Sequence, residues 1–238
     1  MVTAAPGVVA TADPRVVRPR DLAGYYVNPS AEVARLVAGG VLLRLAGGYY
    51  AVVPEPRRGD RWRPPLEAAG LALAQVDYGR EAVALMGVSA ARVLGALPRA
   101  HGVAVVAVPK QRPALETALG RLVFVLRDVE ALAVQRVDTE LAQGWATTPA
   151  QTALDLADRP RLGGLEPGEV VAAIRQLAGE ADPGEVADLA VAQRKRAAHR
   201  RLAWILGEQP PGWTRPAGTA GLEQVVTTDP AAYGLARR

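Results

Sequence analysis

The chain has 238 residues, half of them hydrophobic, which is enough for a sizeable core and far from a disordered composition. It has no cysteine, which excludes disulfides and thiolate metal sites, and aromatics make up only 5%, so Ala, Val and Leu must do most of the packing. The formal net charge of +4 is not spread evenly: residues 1–65 carry nine Arg against five acids, whereas 66–165 and 166–238 are each balanced, with ten of each sign and nine of each sign. A basic N-terminal segment on a neutral body suits phosphate binding.

In chain order, residues 1–17 are small, apolar and interrupted by Pro6, Gly7 and Pro14, and predict a short or irregular element with a frayed start. Pro19 to Ala23 predicts a short helix with Gly24 at the turn. Asn28 is placed to cap a helix whose first residue, Pro29, has no N–H to leave unsatisfied. Val33, Leu36 and Val37 give that helix one buried stripe, and Gly39-Gly40 ends it. Two β-prone runs, Val41 to Leu45 and Tyr49 to Val53, then flank Ala46-Gly47-Gly48, a hairpin signal because primed turns need φ > 0.

Short helix, turn, helix and hairpin form the winged helix-turn-helix layout, in which the second helix enters the major groove of DNA. The side of that helix opposite the stripe shows Ser30, Ala31, Ala34 and Arg35, with Asn28 at its start, Arg20 on the first helix and Arg44 on the wing. These are the candidate DNA contacts. Residues 57–65 follow as a basic, Pro-rich linker in which Arg57, Arg58 and Arg61 are further candidates. Trp62 there either lies along a DNA backbone or tucks over a domain junction.

Beyond the linker, Pro65 to Val76, Glu81 to Met86 and Ser89 to Leu97 predict helices, the last with Ser89 as its N-cap. Gly102 to Val108 predicts a buried strand, Arg121 to Leu126 a second, Leu132 to Val137 a third and Gly144 to Thr147 a short fourth. Thr148-Pro149 opens a helix through Asp158, with Leu154, Leu156 and Ala157 inside and Asp155 facing out or capping a loop. Helices follow over Pro167 to Ala178 and, as one long element, Pro183 to Gly207. The latter gathers Arg194, Lys195, Arg196, His199, Arg200 and Arg201. Its outer side, Arg194, Arg196 and Arg200, is either a solvated face or a surface for an acidic partner. Val225-Val226 suggests a strand within a Pro/Gly-rich tail, 209–238.

The expected fold class is therefore α+β. A winged helix-turn-helix over 1–56 and the linker 57–65 precede a compact α/β domain over 66–208 that ends in helices, followed by the tail. No phosphate-binding glycine loop, nucleophile elbow or histidine pair of ligand spacing occurs, so no enzyme, cofactor or metal is expected. With no apolar run of membrane-spanning length and no signal peptide, the reading is cytoplasmic, with no membrane partner.

Three stretches resemble the AbiEi-type antitoxins, regulators paired with nucleotidyltransferase-like toxins in bacterial toxin–antitoxin systems. These are Arg35-Leu36-Val37 leading through Gly40 and Leu42 to Leu45 into Gly48-Tyr49; Thr147-Thr148-Pro149 running into Thr152 and Leu154-Asp155-Leu156-Ala157; and Arg201-Leu202 in the C-terminal helix. The resemblance spans roughly residues 18–207. It implies a sequence-specific repressor of its own operon that binds double-stranded DNA at inverted repeats, counters such a toxin and has no catalysis. Ala38-Gly39 and Ala46-Gly47 stand where the family often has basic residues, and Ala150 and Gln151 replace its glutamate and arginine. The alternative is a stand-alone regulator or a protein-interaction module without a toxin partner.

Overall fold

A computed structural model describes residues 6–208 and 216–227. The N-terminal elements are α1 (Gly7–Ala10), β1 (Val16–Val17), a 3-10 turn (Pro19–Leu22), α2 (Pro29–Ala38), β2 (Leu42–Ala46) and β3 (Tyr49–Val52). A second 3-10 turn (Glu55–Arg57) leads to α3 (Leu66–Tyr78), β4 (Ala84–Leu85) and α4 (Val88–Val93). Then come β5 (Val103–Val108), β6 (Leu115–Thr117), β7 (Gly120–Leu126), β8 (Val134–Asp138) and β9 (Gln143–Thr147). The helices α5 (Pro149–Asp158), α6 (Pro167–Glu180), α7 (Pro183–Ala192), α8 (Arg196–Leu206) and α9 (Glu223–Thr227) complete a mixed α+β fold.

Two sheets form, one ordered β1-β3-β2 and the other β6-β7-β5-β4-β9-β8. In the small sheet β3 pairs antiparallel with both neighbours, and a bulge lies between Arg44 and Ala46. β1 was not anticipated: Val16 and Val17 pair with Ala51 and Tyr50, so the irregular N-terminal segment owes its strand to β3. In the larger sheet β5 runs parallel to β7 and antiparallel to β4, while β6 and β7 form an antiparallel hairpin. The chain groups into two compact units. The first comprises the described parts of Met1–Leu85, Gly102–Val129 and Arg136–Trp145; the second, those of Met86–His101, Glu130–Gln135 and Ala146–Arg238. The division does not fall at 57–65, which runs wholly within the first unit.

In the first unit, Val9, Val17, Leu22, Val33, Leu36, Val41, Leu42 and Val52 make a core beneath α2 and the hairpin. α3 packs on β5 with its apolar residues buried nearly all round. Gly70 permits that approach, since a Cβ there would meet Leu122 at 3.1 Å and Val106 at 3.2 Å. In the second unit α5 is central and packs against α4, α6, α7 and α8.

Several sequence expectations are corrected. Glu81 to Met86 is not a helix: Ala84 and Leu85 pair with Ala107 and Val106 of β5, and both are fully buried. Pairing with a central strand overrides a weak local helical preference. Ser89 does not cap α4, because Gly87 takes the cap position and Ser89 is buried inside the helix. The helix expected over Pro183 to Gly207 is two, α7 and α8, broken where Arg194 adopts φ +57°. Val225-Val226 lies in α9 rather than a strand. The rest of the expected tail, 209–215 and 228–238, lies outside the described residues.

Candidate nucleic-acid interface

α2 forms where the sequence places it. The Asn28 side chain accepts a hydrogen bond from the Ala31 N–H at 3.1 Å, satisfying one of the amides the first turn leaves open, and Pro29 occupies the first helical position. Val33 and Leu36 face the core with Val37 half-buried beside them. Gly48, at φ +80°, closes the hairpin. The outward face carries Ser30, Ala31, Ala34 and Arg35, all exposed, and Ala38 continues it. Arg20 on the 3-10 turn and Arg44 on β2 are also exposed, and both elements pack against α2. The structure therefore brings seven of the proposed DNA contacts, Arg20, Asn28, Ser30, Ala31, Ala34, Arg35 and Arg44, onto one small packed assembly.

Two refinements follow from the side chains. Arg35 does not reach freely outward: its Nε and Nη2 donate to Glu32 at 2.9 and 2.6 Å, and the two groups stabilise each other's charged forms through this pair. Of the linker arginines, Arg57 and Arg61 are exposed but Arg58 is half-buried. Trp62 donates its Nε1–H to Glu140 at 3.0 Å and Arg63 donates to the Ala118 carbonyl at 2.9 Å, so this segment is tied to the first unit rather than loose.

Sequence reasoning missed the anchor of the module, Asp77 in the last turn of α3. Its Oδ1 accepts from Arg18 at 2.6 Å and more distantly from Arg20 at 3.4 Å; its Oδ2 accepts from Tyr49 at 2.6 Å and Arg112 at 2.7 Å. Arg112 also lies 4.3 Å from the centroid of the Phe124 ring. Arg18 is clamped too by Asp21, whose carboxylate accepts both its backbone N–H and its guanidinium. That bond, foremost, raises the Arg18 pKa. Burial, then the bond to Asp77, pushes the Tyr49 phenol up. Nothing in the spacing of residues 18, 49, 77 and 112 announces this meeting. Only the tertiary fold assembles it.

In the second unit the Thr-Thr-Pro run does what its chemistry suggests: the Thr148 hydroxyl accepts from the Gln151 N–H at 3.3 Å as the N-cap of α5. Thr147 and Thr152 hydroxyls bond at 2.7 Å in the core. Asp155, expected to face out or cap a loop, is instead buried and accepts from Lys195 Nζ at 2.7 Å and from Gln151 at 3.1 Å. Gln151 also bonds Gln193, whose amide reaches the Ala131 carbonyl. These side-chain contacts of Gln193 and Lys195 lie on either side of Arg194, at the α7–α8 break, where the Lys195 N–H also donates to the Ala190 carbonyl and closes α7. Arg201 is buried and donates to the backbone carbonyls of Ala157, Asp158 and Ala217. Of the proposed partner surface, Arg194, Arg196 and Arg200 are exposed, but Arg194 lies in the turn, so they do not share one helix face.

Among the described residues no helix is long and apolar enough to cross a membrane, and no three His, Asp or Glu side chains gather as a metal site. The family model for the AbiEi antitoxin C-terminal domain matches residues 82–208, more than half of the chain. The chain belongs to the AbiEi antitoxin family. The AbiEi match encloses the Asp155–Lys195 pair, the Thr147–Thr152 contact and all of β4 to α8. No curated protein matches the chain significantly. Among solved structures, the RV2827C protein from Mycobacterium tuberculosis is similar in fold, with a TM-score of 0.58 and 20% identity over 85% of this chain and 74% of that one.

Proposed function

We propose that this AbiEi-family chain is a DNA-binding regulator of antitoxin type. Residues 1–56 act as a winged helix-turn-helix that reads an inverted-repeat operator in double-stranded DNA and represses its own operon. The AbiEi domain then counters a nucleotidyltransferase-like toxin. The observation that carries the reading is the exposed outer face of α2, flanked by exposed Arg20 and Arg44, on the one segment that holds the chain's whole excess of positive charge. In this reading α2 enters the major groove, while Arg20, Arg44, Arg57, Arg58 and Arg61 meet phosphates and fix register without reading sequence. No step of this function needs catalysis or a cofactor.

The full chain tests it. An Arg20→Glu/Arg44→Glu variant with a normal melting temperature should lose binding to promoter duplex, and wild-type affinity should fall steeply with added salt as phosphate contacts release counterions. Wild-type affinity in the double variant would refute the assignment. The toxin-facing surface is proposed at Arg194, Arg196 and Arg200. Reversing all three to Glu should abolish growth rescue in cells expressing the neighbouring toxin gene while leaving the circular dichroism unchanged.

A further inference from the structure

We propose that α2 distinguishes sequences chiefly through thymine methyl groups rather than through hydrogen bonds to base edges. This rests on the DNA-binding reading above and specifies what that surface recognises.

Val27, one residue before the cap, has a relative exposure of 107%, and Tyr25 beside it is 67% exposed. Ala31, Ala34 and Ala38 recur at helical spacing on the side opposite Val33 and Leu36, and all three are exposed, with exposed Val27 in the segment that leads into the helix. The result is a ridge of methyl groups along the face that would enter the groove. The two long polar side chains on the same side, Asn28 and Arg35, are already engaged, which leaves the short Ser30 hydroxyl. An asparagine reads adenine by accepting and donating at once, but the Asn28 oxygen is held by the Ala31 N–H at 3.1 Å. Arginine reads guanine with two parallel donors. Arg35 instead gives its Nε and Nη2 to Glu32, and brings that carboxylate with it toward the O6 and N7 acceptors of any guanine it approached.

Beside that one hydroxyl, most of the face offers apolar contact, and in the major groove the C5-methyl of thymine is the matching group. Duplex DNA is the occupant favoured by charge: exposed Arg20 and Arg44 sit on the two elements packed against α2, and the segment 1–65 holds the chain's excess of positive charge, which suits phosphate contact. The inferred operator half-site therefore carries thymines where Val27, Ala31 and Ala34 approach.

The experiment uses the full chain. Its preferred sequence is selected from a random duplex pool, and deoxyuridine then replaces each thymidine singly, removing one methyl and nothing else. Affinity should fall about four-fold at each contacted thymine, as for burial of one methyl-sized group, and should not change at the others. Val27→Ser, which cannot disturb the core because the side chain is fully exposed, should weaken the thymidine duplex and make one of those uridine substitutions silent. A pool that yields no preferred sequence overturns the DNA-binding reading and this inference together. A preferred sequence in which every thymidine can be replaced without loss overturns this inference alone. Val27→Ser that leaves DNA affinity intact but alters self-association in sedimentation makes the ridge a protein interface and also overturns it.

Discussion

Two carboxylates organise this molecule in opposite ways. Asp155, in α5, meets Lys195 in the dry interior, where its side chain is 2% exposed and that of Lys195 is 7% exposed, and the same ammonium lies 3.5 Å from Asp158. Asp77, in α3, sits nearer the surface at 11% and gathers Arg18 and Arg112, at 15% and 19%, together with the Tyr49 hydroxyl. The interior tolerates charge only when each ion is matched, because desolvation is expensive there. At the edge, water screens the surplus, so one carboxylate can hold two or three guanidinium groups. The first arrangement fixes a core; the second pins a surface module, the turn before α2 and the strand β3, to the helix behind it.

The comparison predicts unequal effects. Lys195→Met takes the ammonium from a buried carboxylate and should destabilise the chain by about 3–5 kcal/mol in chemical denaturation. Lys195→Met combined with Asp155→Leu should recover most of that loss, since an apolar pair needs no matched charge. A single Lys195→Met variant as stable as wild type would place water at Asp155 and erase the contrast.

Asp77→Ala removes a bond from each of several partly solvated donors, which retain water as an alternative. The expected loss is about 2 kcal/mol, with faster amide exchange confined to the 3-10 turn at Pro19–Leu22 and to β3. Uniform acceleration across β5 and β7 as well would make Asp77 part of the general core rather than a local pin.

How far this contrast was visible beforehand depends on the range of the interactions. α2, its Asn28 cap, the hairpin at Gly47-Gly48, β5 and α5 with its Thr148 cap were legible, because each is written in a few consecutive residues. β4 was not, since a two-residue strand is defined by Val106 and Ala107 across from it. The α7–α8 break was hidden too: no glycine or proline marks Arg194, and Lys195 beside it bonds a carboxylate forty residues away in sequence. One signal did exist. Lysine occurs only at 110 and 195 in a chain otherwise reliant on arginine, and the buried ammonium is one of those two. For the candidate interface, the identity of the exposed α2 residues followed from periodicity, but their engagement with Asn28 and Glu32 needed side-chain geometry.

A smaller effect concerns the interface itself. Glu32→Ala should cost little stability, because the arginine half of this i,i+3 pair is exposed and such pairs are weak, but should free Arg35 and raise affinity for duplexes of any sequence. A drop in affinity would mean that Glu32 contacts a base.

The smallest effect is a titration, and it tests whether Tyr49 belongs to the Asp77 cluster in solution. Burial first, and the Asp77 carboxylate second, raise the phenol above its ordinary value near 10, because ionisation would place a phenolate in a partly dry site against another negative charge. A group whose folded value exceeds its unfolded one supplies stability that is fully present below the unfolded value. That stability is lost as pH rises through the folded one. Wild type should therefore show a late-ionising tyrosine by absorbance, and its melting temperature should decline in that alkaline range. Tyr49→Phe should remove the late step and the part of the decline that belongs to it. In Asp77→Asn the Tyr49 step should move back toward 10, since the negative charge is gone while burial remains. If the late step survives Tyr49→Phe, it belongs to another tyrosine, and the bond between β3 and α3 is not maintained in solution.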